Sequence, residues 1–118
     1  IVTHRDWQSL QPLLDYYEMR ELFLHWITGE DPYPRKPNPA SIQAVVKRFD
    51  LNVRECLAIG DREIDVIAAR RAGVLSCRFN RHGDRSRMSA DLFISDFWEL
   101  FTWLQRASNL DYKNPPGS

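Results

Sequence analysis

The sequence predicts an α/β protein built on a parallel sheet with helices on both faces. Three observations point to it: apolar runs of strand length alternate with segments of helical spacing, the connecting loops are short, and one stretch joins both element types at a glycine turn. That stretch is CLAIGDREIDVIAARRA, residues 56–72. Leu57, Ala58 and Ile59 run into Gly60, and from Glu63 onward Ile64, Ile67, Ala68 and Ala72 recur on one helical face. Gly73 stops the helix.

Taken in order, residues 1–3 read as the end of a strand. Asp6 is an N-cap for a helix over residues 7–17, with Leu10, Leu13, Leu14 and Tyr17 at helical spacing. A turn at 19–22 leads to a strand over 23–28, where Trp, Ile and Thr favour extended backbone. Residues 29–35 form a polar, proline-bearing loop that ends at Lys36. Asn38 caps the next helix and Pro39 occupies its first position, where no amide hydrogen is needed. This helix reaches Phe49 and buries Ile42, Val45, Val46 and Phe49. After the central unit come a strand over 74–79, a basic loop over 80–89, a short strand over 92–94 and an aromatic-rich helix over 96–106. Residues 1–108 thus make one domain, and residues 109–118, ending in PPGS, an expected disordered tail. No internal repeat is visible.

Composition narrows the function classes. Sixteen basic residues balance sixteen acidic ones, so no global charge favours nucleic acid or an anionic membrane. Four Trp, six Phe and four Tyr suit a packed globular domain. No apolar run has the length of a membrane span and no signal-peptide pattern is present, so a soluble, cytoplasmic protein is expected. Cys56 and Cys77 fall at or in strands and read as small hydrophobes, not as a disulfide or metal pair. The chain opens without Met on what reads as the end of a strand, which suggests part of something longer.

The chemistry gathers where strands end. Asp61 lies in the turn after a strand and Asp65 one helical turn later, so both carboxylates face the space in which open α/β sheets hold ligands. Two such acids suit Mg²⁺ together with water and a phosphate, although capping and the helix dipole alone also favour acids there. Thr3 and Lys36 belong at the same edge. The Thr3 hydroxyl and neighbouring amides suit a phosphate oxygen, and the Lys36 ammonium suits a transferring phosphoryl group. Singly, each reads as an ordinary strand-end or surface residue; together they are much harder to dismiss as such.

VTHRD, KPNPASI and AIGDREIDVIAARRAG resemble, in order and spacing, the second, third and fourth motifs of the haloacid dehalogenase-like hydrolase superfamily. The phosphoglycolate phosphatase-like branch is the nearest, and the resemblance covers about residues 1–80. It implies a Rossmann-like three-layer core in which Thr3 binds the phosphoryl group, Lys36 stabilises nucleophile and transition state, and Asp61 holds Mg²⁺ with help from Asp65. His4 and Arg5 would border the substrate. The implied function is Mg²⁺-dependent hydrolysis of a small phosphorylated metabolite, with dehalogenation less expected because the paired acids are retained.

One departure stands out. The superfamily's first motif, DxDxT, supplies the aspartate nucleophile, and no DxD occurs in this chain. Without it no aspartyl-phosphate forms, so the chain alone is expected to be inactive. The strand bearing that motif belongs in mid-sheet, between the strands ending at Thr3 and Ile59. An open gap there leaves two rows of unpaired backbone groups, so the strand is expected from the same protein or a second chain. Residues 4–35 leave no room for a cap, which is expected upstream. The rival reading is a non-catalytic module that binds a phosphorylated ligand or a protein.

Weaker signals remain. Arg78, Arg81, His82, Arg85 and Arg87 form a basic loop at the ligand edge, better read as solvated than as an anion contact. His25 reads as structural, and Arg70 and Arg71 complement a helix C-terminus. Phe93, Phe97, Trp98, Phe101 and Trp103 read mostly as core, with any surplus as a contact surface.

Overall fold

The computed structural model describes residues 1–80 and 90–113, with side chains through residue 107. Its elements are α1 (Trp7–Tyr16), α2 (Ala40–Arg48), β1 (Leu57–Gly60), α3 (Glu63–Arg71), β2 (Leu75–Phe79), β3 (Leu92–Ile94) and α4 (Phe97–Lys113). The three strands form a parallel sheet in the order β1-β2-β3. Ile59 pairs with Cys77, which in turn pairs with Leu92. A separate parallel bridge joins Val2 to Ile27.

Local chemistry sets the helix ends. Asp6 accepts the Ser9 N–H at 2.8 Å and starts α1. Asn38 accepts the Ala40 N–H at 2.9 Å, so Pro39 sits just before α2 instead of within it. Gly73, at φ +78°, turns the chain out of α3 into β2, a conformation that costs glycine little. On α3, Ala68 and Ala69 are fully buried against β1 and β2, because small side chains let a helix lie close on a sheet. The buried face therefore centres on Val66, Ala68 and Ala69, rotated from the one expected. Cys77, Ile94 and Leu100 form the core on β2, β3 and α4, joined by Leu57, Phe79 and Leu92. Cys77 and Cys56 are both free thiols.

Other expectations need correction. The strand over 23–28 contracts to the one bridge at Ile27, since the short segment 1–3 is all it has to pair with. Residues 23–28 are instead fastened to α1 through Trp26, which stacks on Trp7 at 5.1 Å. His25 has a structural place, its carbonyl accepting the Ile1 amine at 2.9 Å and its ring meeting Phe49 edge-on. Tyr17 and Phe49 end their helices exposed. Backbone helix continues to Lys113, past the expected end at Arg106. On α4, Phe97, Trp98 and Phe101 lie more than half exposed, so this aromatic run is largely a surface. Arg81, His82, Arg85 and Arg87 lie outside the described residues. Among the described residues no helix is long and apolar enough to cross a membrane.

The gap expected in mid-sheet is present. β1 has a ladder partner only on its β2 side among the described residues, and β1 does not pair with the Val2–Ile27 bridge. Between them lies an open cavity of about 470 Å³ whose walls include Val2, Ile42, Val45, Val46, Leu57 and Ile59. This explains the exposure of Ile59 at 45% and the half-buried state of the α2 residues expected in the core. Lys36, Asp65 and Glu55 are the charged residues among its walls.

Candidate active site

Four segments converge beyond the C-terminal end of β1. Residues 1–5 arrive along the bridge, with Thr3 N–H donating to the Ile27 carbonyl at 3.0 Å and Gly29 N–H to the Arg5 carbonyl at 2.9 Å. Gly29 is required at that crossing, because a Cβ there would collide with the His4 backbone carbonyl. The proline-rich loop brings Lys36, β1 ends at Gly60, and α3 begins with Asp65 in its first turn. Thr3, His4, Arg5, Lys36, Asp61 and Asp65 all line one open cleft of about 570 Å³, so every expected site residue is brought together. Arg62, which the sequence did not single out, lines it too.

Lys36 is the best-fixed group. Its Nζ lies 2.6 Å from Asp65 Oδ1 and 3.1 Å from the Val2 carbonyl. Both side chains of the ion pair are mostly shielded from water. Asp65 Oδ2 accepts the Arg62 N–H at 3.1 Å, one half of a capping box, so Asp65 ties the helix start to the lysine. Gly60 makes room for this carboxylate; a Cβ there would collide with the Asp65 side chain.

Asp61 is exposed in the cleft and, among the described residues, its carboxylate has no hydrogen-bond partner. Thr3 Oγ1 accepts the Arg5 N–H at 3.1 Å, which leaves the hydroxyl proton to donate. The amides of Thr3 and Arg5 are thereby spent, whereas that of His4 has no partner among the described residues. The His4 ring is also engaged, its Nε2 accepting the Lys36 backbone N–H at 3.1 Å. Burial, then the nearby Lys36, Arg35 and Arg62 charges, hold the imidazole below its ordinary range, against a smaller opposing pull from Asp65. His4 is therefore neutral at pH 7.

No group of three metal-ligating side chains occurs among the described residues. Asp61 and Asp65 suit a hard cation such as Mg²⁺, which takes one or two carboxylates and completes its shell with water and phosphate oxygens. Three cationic residues, Arg5, Lys36 and Arg62, and two carboxylates, Asp61 and Asp65, line the cleft.

The fold and the cleft together define an α/β protein with a polar site at the C-terminal edge of a parallel sheet. Residues 1–73 match the family described as haloacid dehalogenase-like hydrolase, and the chain belongs to that family. It is 36% identical over 115 residues to phosphoglycolate phosphatase 1 of Pseudomonas aeruginosa, an alignment covering 93% of this chain and 42% of that protein. Among solved structures it is similar to a HAD phosphatase from Thermococcus onnurineus, with TM-score 0.73, 29% identity and coverage of 84% and 46%. A HAD hydrolase from Bacillus subtilis, solved bound to magnesium, shares the fold at TM-score 0.80 and 21% identity, with coverage of 89% and 47%. The chain spans about two fifths of the length of the first curated relatives it matches.

Proposed function

We propose that this chain is the part of a Mg²⁺-dependent phosphohydrolase that grips the phosphoryl group of a small phosphorylated metabolite. The observation that carries the reading is the Lys36 ammonium, fixed by Asp65 and the Val2 carbonyl at the mouth of a cleft that also holds Thr3 and Asp61. The likeness to phosphoglycolate phosphatase 1 supports a small phosphate monoester as substrate.

In this reading Lys36 offsets the negative charge that grows on the phosphoryl oxygens, and its fixed position means little reorganisation is needed during reaction. The Thr3 hydroxyl and His4 amide donate to a non-bridging oxygen. Asp61 and Asp65 hold Mg²⁺, which when bound polarises the phosphoryl group and screens the approach of one anion to another. His4 and Arg5 border the substrate, Arg5 being placed for a second anionic group.

The nucleophile comes from elsewhere, since no DxD is present in these residues. The cavity beside β1 suits an apolar extended segment, and the Lys36 ammonium in its wall suits a carboxylate at that segment's tip. A segment pairing there gives β1 its second ladder and delivers an aspartate to the phosphoryl site. The same missing DxD favours one other reading, a binding module without turnover.

The deciding experiment is hydrolysis of a generic phosphate ester by the longest natural form of the protein, with and without Mg²⁺. Metal-dependent turnover that Asp61→Asn abolishes supports the enzyme. Absence of turnover in a well-folded protein that still binds phosphate supports the module, and unchanged activity in Asp61→Asn overturns the metal assignment.

A further inference from the structure

We infer that His4 is a positioning residue for Lys36: its Nε2 accepts the Lys36 backbone N–H and fixes the point from which the ammonium enters the cleft. The inference rests on the proposed role of Lys36 and adds a residue to it. Lys36 lies in DPYPRKPNP, where Pro32, Pro34, Pro37 and Pro39 have no amide hydrogen. Such a segment cannot be laced to a neighbouring strand, so each N–H it does possess counts for more. That of Lys36 goes to the His4 ring at 3.1 Å.

The acceptor is itself rigid. Residue 4 stands between two backbone bonds to the neighbouring segment, Thr3 to Ile27 and Gly29 to Arg5, and its carbonyl abuts Gly29. Lys36 is consequently held at both ends by residues 1–5 and α3: backbone on His4, ammonium on the Val2 carbonyl and Asp65. A ring nitrogen that accepts carries no hydrogen, so the proton resides on Nδ1. The charged groups facing the ring are Lys36, Arg35, Arg62 and Asp65, and their net effect with burial favours this neutral form. Nε2 is thus unavailable to a substrate, and His4 acts through the lysine.

Long-range proton–nitrogen correlation spectra of the histidine rings at neutral pH test the bond directly, with His4→Gln assigning the resonance. The expected result is a protonated Nδ1 and a bare Nε2 for His4; a protonated Nε2 overturns the inference. Because this reads the wild-type protein, a variant that fails to fold leaves it intact. In the complete phosphatase, His4→Leu should lower kcat by roughly 10- to 100-fold with little change in KM, as expected for a displaced catalytic group. His4→Gln, whose amide oxygen can accept the same N–H, should recover most of the loss. A rise in KM at unchanged kcat in His4→Leu would instead make His4 a substrate contact. A wild-type enzyme without phosphatase activity defeats the proposed function, while the ring spectrum still decides the His4–Lys36 bond.

Discussion

Lys36 Nζ and Asp65 Oδ1 lie 2.6 Å apart with side chains only 13% and 16% exposed, although 29 residues separate them in sequence. The pair joins a proline-rich loop to the first turn of α3 and sets the geometry of the cleft. Removing one partner strands the other, partly buried and uncompensated.

Asp65→Asn should therefore destabilise the fold by about 1–3 kcal/mol, since the amide keeps one acceptor but loses the charge. Activity of the complete enzyme should fall on the order of 10²–10³-fold. Urea denaturation and steady-state kinetics check the two effects; a stability change without a kinetic one would make the pair purely structural.

Two glycines separate fold from site. At Gly29 an added Cβ meets the His4 backbone, which cannot step aside, so Gly29→Ala should cost about 1–3 kcal/mol. At Gly60 the obstacle begins at the Asp65 Cβ, which no side-chain rotation moves, so the start of α3 itself must shift. Gly60→Ala should cost comparable stability and more activity, because the displaced residue is the partner of Lys36. Melting curves should fall together in the two variants while phosphatase rates fall further in Gly60→Ala; equal rates would place the Lys36–Asp65 contact outside the reaction.

The depressed affinity of His4 for a proton makes stability pH-dependent. Below the ordinary value of 6.5 the unfolded chain takes up a proton before the folded one does. This contribution is fully favourable above 6.5 and is lost as pH falls from there to the lower folded value. The urea midpoint should drop as pH falls below 6.5, with a shallower drop in His4→Gln. Equal slopes in the two proteins would place the titration elsewhere.

Much of the fold was legible because its signals are local. Asp6 caps three residues ahead, Gly73 supplies a left-handed turn, and the run from Leu57 to Gly60 leads straight into α3. The motifs KPNPASI and GDREID were legible for the same reason. What misled was any property set by a distant partner. Residues 23–28 have strand-forming side chains, yet backbone pairing needs a neighbour of matching length, and one bridge forms. Apolar spacing on α2 and α4 marked buried faces, but burial requires a surface to pack on. Phe49, Trp98 and Phe101 are exposed.

The sequence by itself determined the α/β alternation and placed Thr3, Lys36, Asp61 and Asp65 at the sheet's edge, because these follow from caps, turns and periodicity within a few residues; His4 and Arg5 came from the family resemblance. Only the tertiary structure decided how those six divide their work. Asp65 and His4 hold Lys36 from opposite ends, and Asp61 is left with a free carboxylate among the described residues. Contacts spanning 29 to 34 residues come from how the bridge, β1 and α3 are arranged in space, and no local pattern encodes that arrangement.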